Sequence, residues 1–197
     1  KVLLDGGFAV ESNKSLVPNR HFIATRPVIK ANRTSTKCRL CLDSRTINKY
    51  THAGPNLTTT IVETLFQFRI DEFVAIWDLE KAFWQVKIHP EDLGWYCTII
   101  QGCPIQFNRM VFGGNWSPCG LETSIRLVLE LARKYIIDAK APANGEPERP
   151  KTFITNNYVD DFLGRSRTST KTLAQECNWV RWFLAKYGFS SEKYMSN

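Results

Sequence analysis

The sequence predicts an α+β fold, in which strands and helices occupy separate blocks of the chain. Two apolar stretches early in the chain are joined by a short polar loop, which is the pattern of an antiparallel hairpin. Two later stretches repeat apolar residues every three or four positions, which is typical of helices. Because these elements do not alternate strictly, a mixed fold is favoured. A hydrophobic share of 43% in 197 residues is enough for one or two compact cores.

The first quarter of the chain predicts a lead-in followed by a hairpin. Residues 1–20 are polar and mixed, and we interpret them as a lead-in. Residues 22–30 and 38–43 are the two apolar stretches, and residues 31–37 form the polar loop between them. This arrangement predicts two antiparallel strands joined by a basic loop.

Cys38 and Cys41 form a CxxC pair, a spacing that metal and redox sites share. No second such pair and no pair of histidines follows, and both residues lie in the second apolar stretch. We therefore interpret them as buried thiols of a strand. The six cysteines of the chain indicate a reducing compartment.

The middle of the chain predicts a helix, a strand and a second hairpin. A helix is predicted from about Thr59 to Arg69, because four apolar residues recur on one face and threonines precede them as possible caps. These apolar residues are Ile61, Val62, Leu65 and Phe66. Residues 73–78 are rich in apolar and aromatic side chains, which predicts a buried strand ending at Asp78. A further hairpin or loop region is predicted between Gln85 and Phe112.

The last third of the chain predicts two long helices around a strand pair. The apolar stripes of residues 117–138 and 170–187 each have helical spacing. Residues 140–150 are rich in proline and glycine and predict a surface loop. Residues 153–163 are predicted to form a strand, a tight turn and a second strand.

The charge and hydropathy of the chain restrict its partners. The net charge is +7, which favours an anionic partner, and nucleic acid is the usual one. No apolar run approaches the roughly 18 residues that a membrane-spanning helix needs, so we expect no membrane partner. The chain has no charged-then-apolar leader, so no signal peptide is predicted.

Adjacent carboxylates at the predicted tight turn are the sharpest chemical feature. Asp160 and Asp161 repel each other, and a cation that neutralises them would lower that cost. Asp78 ends another apolar strand, so two neighbouring strands would bring it to the same sheet edge. Oxygen ligands of this kind suit Mg²⁺, and three carboxylates could hold two ions. The alternative is a solvated Asp-Asp turn, with Asp78 as a helix cap.

Four motifs resemble those of reverse transcriptases and occur in the order of that family. Residues 158–161, Tyr-Val-Asp-Asp, resemble the Tyr-x-Asp-Asp box, and residues 78–86 resemble the first catalytic motif, an Asp with an aromatic five residues later. Residues 110–118 resemble the motif that grips template and nucleotide. Residues 27–30 with 37–43 are similar to the fingers motif. This ordered set is far more specific than any single motif.

The subtype also has a signature. Residues 81–92 and 193–197 look most like BEL/Pao-type LTR retrotransposons, and the whole resemblance covers about residues 22–197. It implies the fingers and palm of a right-hand polymerase, with the palm an antiparallel sheet backed by helices and the thumb absent. The implied segments are 1–52 (fingers), 53–85 (palm), 86–116 (fingers) and 117–197 (palm).

The resemblance implies a metal-dependent catalytic site. Two Mg²⁺ ions, with Mn²⁺ as an alternative, would be bound by the carboxylates of Asp78, Asp160 and Asp161 and by the carbonyl of Leu79. Lys193 matches the lysine that protonates the leaving pyrophosphate.

The resemblance also implies a nucleotide site. Phe83 would be the steric gate against the 2′-OH, and core packing is its alternative role. Arg39, with Lys30 or Lys37, would grip the triphosphate, and a solvated surface is the alternative for these cations. The remaining residues beside the nucleotide would be Leu79, Phe112 and Gly113. The stretch 114–116, Gly-Asn-Trp, departs from the family pattern.

The implied function is RNA-directed DNA synthesis by the two-metal mechanism. Its substrates would be deoxynucleoside triphosphates and a primer on an RNA or DNA template. A thumb, RNase H and integrase are expected elsewhere in a parent polyprotein, which would be cytoplasmic and packaged in virus-like particles. The alternative is a domesticated or decayed domain that binds nucleic acid without polymerising. An RNA-directed RNA polymerase is disfavoured, because the ring of Phe83 would meet the 2′-OH.

Overall fold

The computed structural model describes residues 2–11, 20–29, 38–58, 60–138, 141–151, 153–191 and 193–196. The strands are β1 (Ala9–Glu11), β2 (Ala24–Ile29), β3 (Cys38–Asp43), β4 (Phe73–Asp78), β5 (Cys97–Ile100), β6 (Cys103–Phe107), β7 (Asn156–Tyr158), β8 (Asp161–Ser166) and β9 (Lys193–Ser196). The α-helices are α1 (Val2–Asp5), α2 (Ile61–Ile70), α3 (Ala82–Gln85), α4 (Ser117–Asp138) and α5 (Thr170–Lys186). Short 3-10 helices span Ile47–Lys49 and Pro90–Trp95.

The chain folds into two compact units, each built from two segments. Unit 1 comprises Lys1–Pro55 and Phe83–Gly120, and unit 2 comprises Asn56–Ala82 and Leu121–Asn197. The mixture of helices and antiparallel sheets agrees with the predicted α+β class. The assignment of the predicted segments to fingers and palm stays a prediction.

Unit 1 contains a three-stranded antiparallel sheet with the order β1-β6-β5. The turn between β5 and β6 has positive φ at both Gln101 (52°) and Gly102 (80°), as a two-residue type I′ hairpin requires. This is the second hairpin that the sequence predicts. The lead-in prediction for residues 1–20 is wrong in part, because β1 pairs with β6 and buries Ala9. Its three residues are too short to show the alternation of a strand in the sequence.

The hairpin of β2 and β3 lies where the sequence predicts it. Ala24 pairs with Asp43 and Ile29 with Cys38, so all six residues of each strand are in register. Residues 30–37 lie outside the described part of the chain. Cys41 is a free thiol in a strand, as predicted, but it is half-buried rather than fully buried.

Unit 2 is built on a four-stranded antiparallel sheet with the order β7-β8-β4-β9. Helix α5 packs across β8 and β4, and its N-cap Ser169 accepts a hydrogen bond from the backbone of Thr172. Gly164 permits the close approach, because a Cβ there would lie 2.6 Å from Sγ of Cys177. The buried stripe of α5 consists of Leu173, Glu176, Cys177, Trp179, Val180, Phe183 and Leu184.

Helix α2 forms as predicted, and Thr60 caps it by accepting a hydrogen bond from the backbone of Glu63. Its apolar face, however, is exposed. Ile61, Val62, Leu65 and Phe66 are 57%, 73%, 48% and 67% exposed. Gln67 of α2 accepts two hydrogen bonds within unit 2, one on its side chain from Asn156 and one on its backbone carbonyl from Arg165.

The loop between α4 and β7 is held by a buried carboxylate. Residues 141–145 are exposed, as a surface loop predicts, but the side chain of Glu146 has no exposed surface. It accepts hydrogen bonds from Arg149 Nε (2.5 Å), Trp179 Nε1 (3.0 Å) and Tyr135 Oη (3.0 Å). Together they hold the pKa of Glu146 at about 2. No helix in the described residues has the length and hydropathy to cross a membrane.

Candidate active site

The three predicted catalytic aspartates lie at one end of the β4–β8 strand pair in unit 2. Asp78 is the last residue of β4, and its Cα partner is Asp161, the first residue of β8. Just beyond them, the backbone N–H of Leu79 donates to the carbonyl of Asp160 (3.1 Å). The antiparallel pairing therefore brings two distant carboxylate motifs to one sheet edge, which we call the carboxylate end (Asp78, Asp160 and Asp161).

Asp160 lies in a turn with a strained backbone. Tyr158 pairs with Asp161, which leaves a two-residue loop of Val159 and Asp160. Val159 has a φ of 57°, and Asp160 has no positive φ, which is the pattern of a type II′ turn. Glycine is usual at that first position, and a β-branched residue there is strained by roughly 1–3 kcal/mol. Such strain persists only where the surroundings hold the turn, and it is enriched at functional sites.

The surroundings of Asp161 disfavour its ionised form. Burial raises the pKa of Asp161, and the negative charge of Asp160 raises it further. No described arginine or lysine contributes to this shift. Both effects disfavour the ionised form, and a divalent cation would reverse them.

The carboxylates at this end are the type of ligand that magnesium prefers, but their side chains do not form a complete coordination site. Among the described residues, no three His, Cys, Asp or Glu side chains converge into a group that could hold a metal ion. Mg²⁺ is usually bound by one or two carboxylates, and its other ligands are waters and substrate phosphates. Adjacent Asp160 and Asp161, with Asp78 opposite Asp161, supply that kind of oxygen ligand.

Two other predicted site residues lie beside Asp78. Leu79 follows it directly and is 2% exposed. Lys193 is the Cα partner of Asp78 on the other side, because β9 pairs with β4. The side chain of Lys193 lies outside the described part of the chain, so its predicted role as a proton donor stays a prediction.

The predicted steric gate lies in unit 1 and packs against a second predicted residue. The ring of Phe83 is 9% exposed and meets the ring of Phe112 edge to face, with centroids 4.8 Å apart. Phe112 is 50% exposed and also contacts Trp84, at 6.3 Å. Phe83 is therefore largely packed, and Phe112 is the more accessible ring of the pair.

Gly113 is required by the protein's own backbone. Its φ is 94°, and a Cβ there would lie 3.3 Å from Oγ of Ser44 and 3.4 Å from the carbonyl of Leu42. Asn48 Nδ2 donates to the Gly113 carbonyl (2.9 Å), which fixes this close approach. The absence of a side chain at this position therefore serves close packing against residues of unit 1.

The cations predicted to grip the triphosphate are only partly described. Lys30 and Lys37 lie outside the described residues. Arg39 lies in β3, where it pairs with Val28, but its side chain is not among those described. The phosphate-binding role of all three stays a prediction.

Three polar residues in or beside the predicted motifs were missed by the sequence interpretation. Asn115, in the stretch that departs from the family pattern, joins the 48–51 turn of unit 1. It accepts from Thr51 Oγ1 (2.7 Å) and donates to the carbonyls of Thr51 (2.9 Å) and Asn48 (3.1 Å). In unit 2, Glu122 and Asn157 are hydrogen-bonded to each other (2.8 Å). Glu122 had a signal, because a charged residue interrupts the apolar stripe of a predicted helix.

Comparison with known proteins gives a fold but no close relative. No family model and no curated protein sequence matches the chain. Among solved structures, it is similar to prototype foamy virus protease-reverse transcriptase. The selenomethionine-labelled CSH mutant superposes with a TM-score of 0.70 at 22% identity, and the native protein with 0.66 at 20%. The match covers 96% of this chain but only 22% of either viral protein. The chain therefore has a fold related to the reverse transcriptases of retroviruses and retroelements.

Proposed function

We propose that the chain is the fingers and palm of an RNA-directed DNA polymerase, which extends a primer on an RNA or DNA template with deoxynucleoside triphosphates. The observation that carries this proposal is the carboxylate end. Two motifs that are about 80 residues apart in the sequence meet there as Cα partners, Asp78 and Asp161. The raised pKa of Asp161 is a further mark of a functional site.

The metal ligands proposed for this reaction are the carboxylates of Asp78, Asp160 and Asp161 and the carbonyl of Leu79. Mg²⁺ is the proposed ion, and Mn²⁺ is an alternative. A pair of bound divalent ions would neutralise charge on the attacking and leaving oxygens of nucleotidyl transfer.

The chain's own residues supply the positioning. The strained turn at Val159 would hold Asp160 and Asp161 in fixed directions, because its backbone has few alternatives once the fold has formed. We assign Phe83 and Phe112 to the sugar and base of the nucleotide, where the Phe83 ring excludes a 2′-OH. Their edge-to-face contact gives Phe83 a rigid support.

The remaining assignments rest on the sequence motifs. Arg39, Lys30 and Lys37 are proposed to bind the triphosphate, and Lys193 to donate a proton to the leaving pyrophosphate. Gly113 is proposed to lie beside the nucleotide. A net charge of +7 suits a partner with a phosphate backbone.

The source we propose is a BEL/Pao-type LTR retrotransposon. The parent polyprotein would contribute the thumb, RNase H and integrase, and it would act in cytoplasmic virus-like particles. This subtype rests on residues 81–92 and 193–197 alone.

A second candidate is a domain that binds nucleic acid without synthesis. It is favoured by one observation, the lack of a finished three-ligand metal group among the described residues. A decayed domain would keep the fold and the basic charge while its carboxylates no longer bound metal.

The test is primer extension by the intact protein on an RNA template with a DNA primer, in Mg²⁺ and then in EDTA. We expect deoxynucleotide incorporation that requires the metal and that is lost in Asp160→Asn. Asp92→Asn is the matched control, because Asp92 is an exposed aspartate in a 3-10 helix of unit 1. Template binding with no extension under any metal would favour the second candidate.

A further inference from the structure

The hairpin that carries Asp160 is held by a side chain outside the predicted motif roles. Asn157 lies in β7, two residues before the strained Val159. Its Nδ2 donates to Glu122 Oε2 (2.8 Å) and to the carbonyl of Val159 (3.3 Å). One amide group therefore joins the turn to helix α4.

Glu122 is a firm anchor for that amide. Its side chain is 4% exposed, and its other oxygen, Oε1, accepts from Arg126 Nε (2.9 Å). Arg126 also donates to the carbonyl of Leu57, so it is held in turn. With both carboxylate oxygens occupied, rotation of Glu122 away from Asn157 would break a buried charge-assisted hydrogen bond.

The position of β7 explains why the turn needs a second support. β7 has three residues, and among the described strands it is at the edge of its sheet and pairs with β8. On the β4 side, the turn is fixed by the Leu79 N–H that donates to Asp160. On the β7 side, the Asn157 amide is the contact that spans from the strand to the turn carbonyl.

We propose that Asn157, anchored by Glu122, is a positioning residue that holds the Val159–Asp160 turn and so sets the direction of the Asp160 and Asp161 carboxylates. The inference rests on the proposed function, since it assigns a purpose to the same carboxylates. It adds two residues, Glu122 and Asn157, to the machinery of the site without any contact to substrate.

The first variant is Asn157→Ala, and Asn156→Ala is its matched control. Asn156 lies in the same strand and donates a hydrogen bond of the same length, 2.8 Å, but to Gln67 on α2. We expect Asn157→Ala to lower the single-turnover extension rate by about 10- to 100-fold, because small misplacements of reacting groups cost that much. We expect the KM for nucleotide to change less than threefold, or about 0.65 kcal/mol. Asn156→Ala should keep the wild-type extension rate while losing about as much free energy of unfolding as Asn157→Ala.

A reversed pair separates positioning from simple stability. In Glu122→Gln with Asn157→Asp, the new amide at position 122 can donate to the new carboxylate at 157. The strand-to-helix bond is then restored, but an aspartate has no N–H for the Val159 carbonyl. We expect this double variant to regain the thermal stability that Asn157→Asp alone loses, while its extension rate stays low. If the extension rate recovered along with the stability, the contact of Asn157 with the Val159 carbonyl would have no role in positioning, and the inference would be overturned.

A readout without activity keeps the inference separate from the proposed function. Amide hydrogen exchange at Leu79 and at residues 159–161 should be faster in Asn157→Ala than in Asn156→Ala, at equal global stability. If the wild-type protein makes no DNA, the proposed function fails, and the exchange data still decide whether Asn157 holds the turn. Equal exchange and equal extension rates in the two alanine variants would overturn the inference.

Discussion

The two ends of the β4–β8 strand pair carry carboxylates in opposite surroundings. Just before β4, the side chain of Asp71 is 3% exposed, accepts a hydrogen bond from Arg167 Nε (2.6 Å) and lies 3.6 Å from Arg165 Nη1. We call this the arginine end. At the carboxylate end, Asp161 has another carboxylate as its neighbour, and its pKa is raised by burial and by Asp160.

Under the proposed function, this difference separates carboxylates that stabilise the fold from carboxylates that bind a cation. At the arginine end, the cost of burying a charge is offset within the chain. Glu146 follows the same rule, because Arg149 and three neutral donors hold its pKa at about 2. At the carboxylate end, burial and the charge of Asp160 disfavour the ionised form of Asp161, and a bound divalent cation would favour it.

The largest effect is expected at the carboxylate end. Asp160→Asn should lower the rate of primer extension by at least about 10³-fold, because it removes charge that is needed where charge develops. The same change removes a like charge beside Asp161, so the free energy of unfolding should not fall. Extension assays and urea unfolding of the same preparation check both parts, and retained synthesis would contradict the assignment.

The second effect belongs to the arginine end. Asp71→Asn removes the carboxylate that Arg165 and Arg167 share. Because the side chain of Arg165 is only 20% exposed, we expect a loss of about 3 kcal/mol in unfolding free energy. Extension per folded molecule should stay near that of the wild type. A variant that loses activity at full stability would show that the two ends are not separate in function.

A third, smaller effect is the pH dependence of the stability that Glu146 contributes through its hydrogen-bonded ion pair with Arg149. The pKa of Glu146 is lowered from 4.5 to about 2. Its contribution to the free energy of unfolding is therefore present above pH 4.5 and is lost as the pH falls toward 2. Glu146→Gln should cost about 2 kcal/mol at pH 7, and the difference from wild type should shrink in acid. Urea midpoints between pH 3 and 7 measure it, and a difference independent of pH would exclude the ion pair as its cause.

The smallest effect has the opposite sign and is expected at Asp161 in metal-free protein. Because the pKa of Asp161 is raised, its contribution to the free energy of unfolding is present below the ordinary pKa of 3.8. It is lost as the pH rises through the pKa of the folded state. Asp161→Asn should therefore be more stable than wild type by about 0.5 kcal/mol at pH 7, and equal to it in strong acid. Unfolding in EDTA at several pH values tests this, and a stability loss at neutral pH would refute it.

Local patterns in the sequence were enough for most secondary structure. The β2–β3 hairpin and helices α4 and α5 were predicted with bounds close to those observed, because apolar periodicity follows directly from which face is buried. The meeting of Asp78 with the Asp160–Asp161 pair was predicted only by assuming that their two strands are neighbours. The pairing of β4 with β8 supplies that link.

Features that depend on distant partners could not be predicted. The ion pairs of Asp71 join residues 94 and 96 positions away, and nothing local marks them. Glu146 had the sequence signature of an exposed loop, and its partner Trp179 is 33 positions away. The exposed apolar face of α2 was also unforeseen, since periodicity reports which residues share a face but not whether anything covers it. The roles of Arg39 and Lys193 remain predictions.

Divalent metal binding by the intact protein tests the central proposal most directly. We would titrate Mn²⁺ into wild type, Asp71→Asn and Asp160→Asn and follow the free ion by its electron paramagnetic resonance signal. We expect wild type and Asp71→Asn to bind the ion and Asp160→Asn to lose most of that affinity. Equal binding by all three proteins, or none by wild type in the presence of primer, template and nucleotide, would contradict a metal site at the carboxylate end.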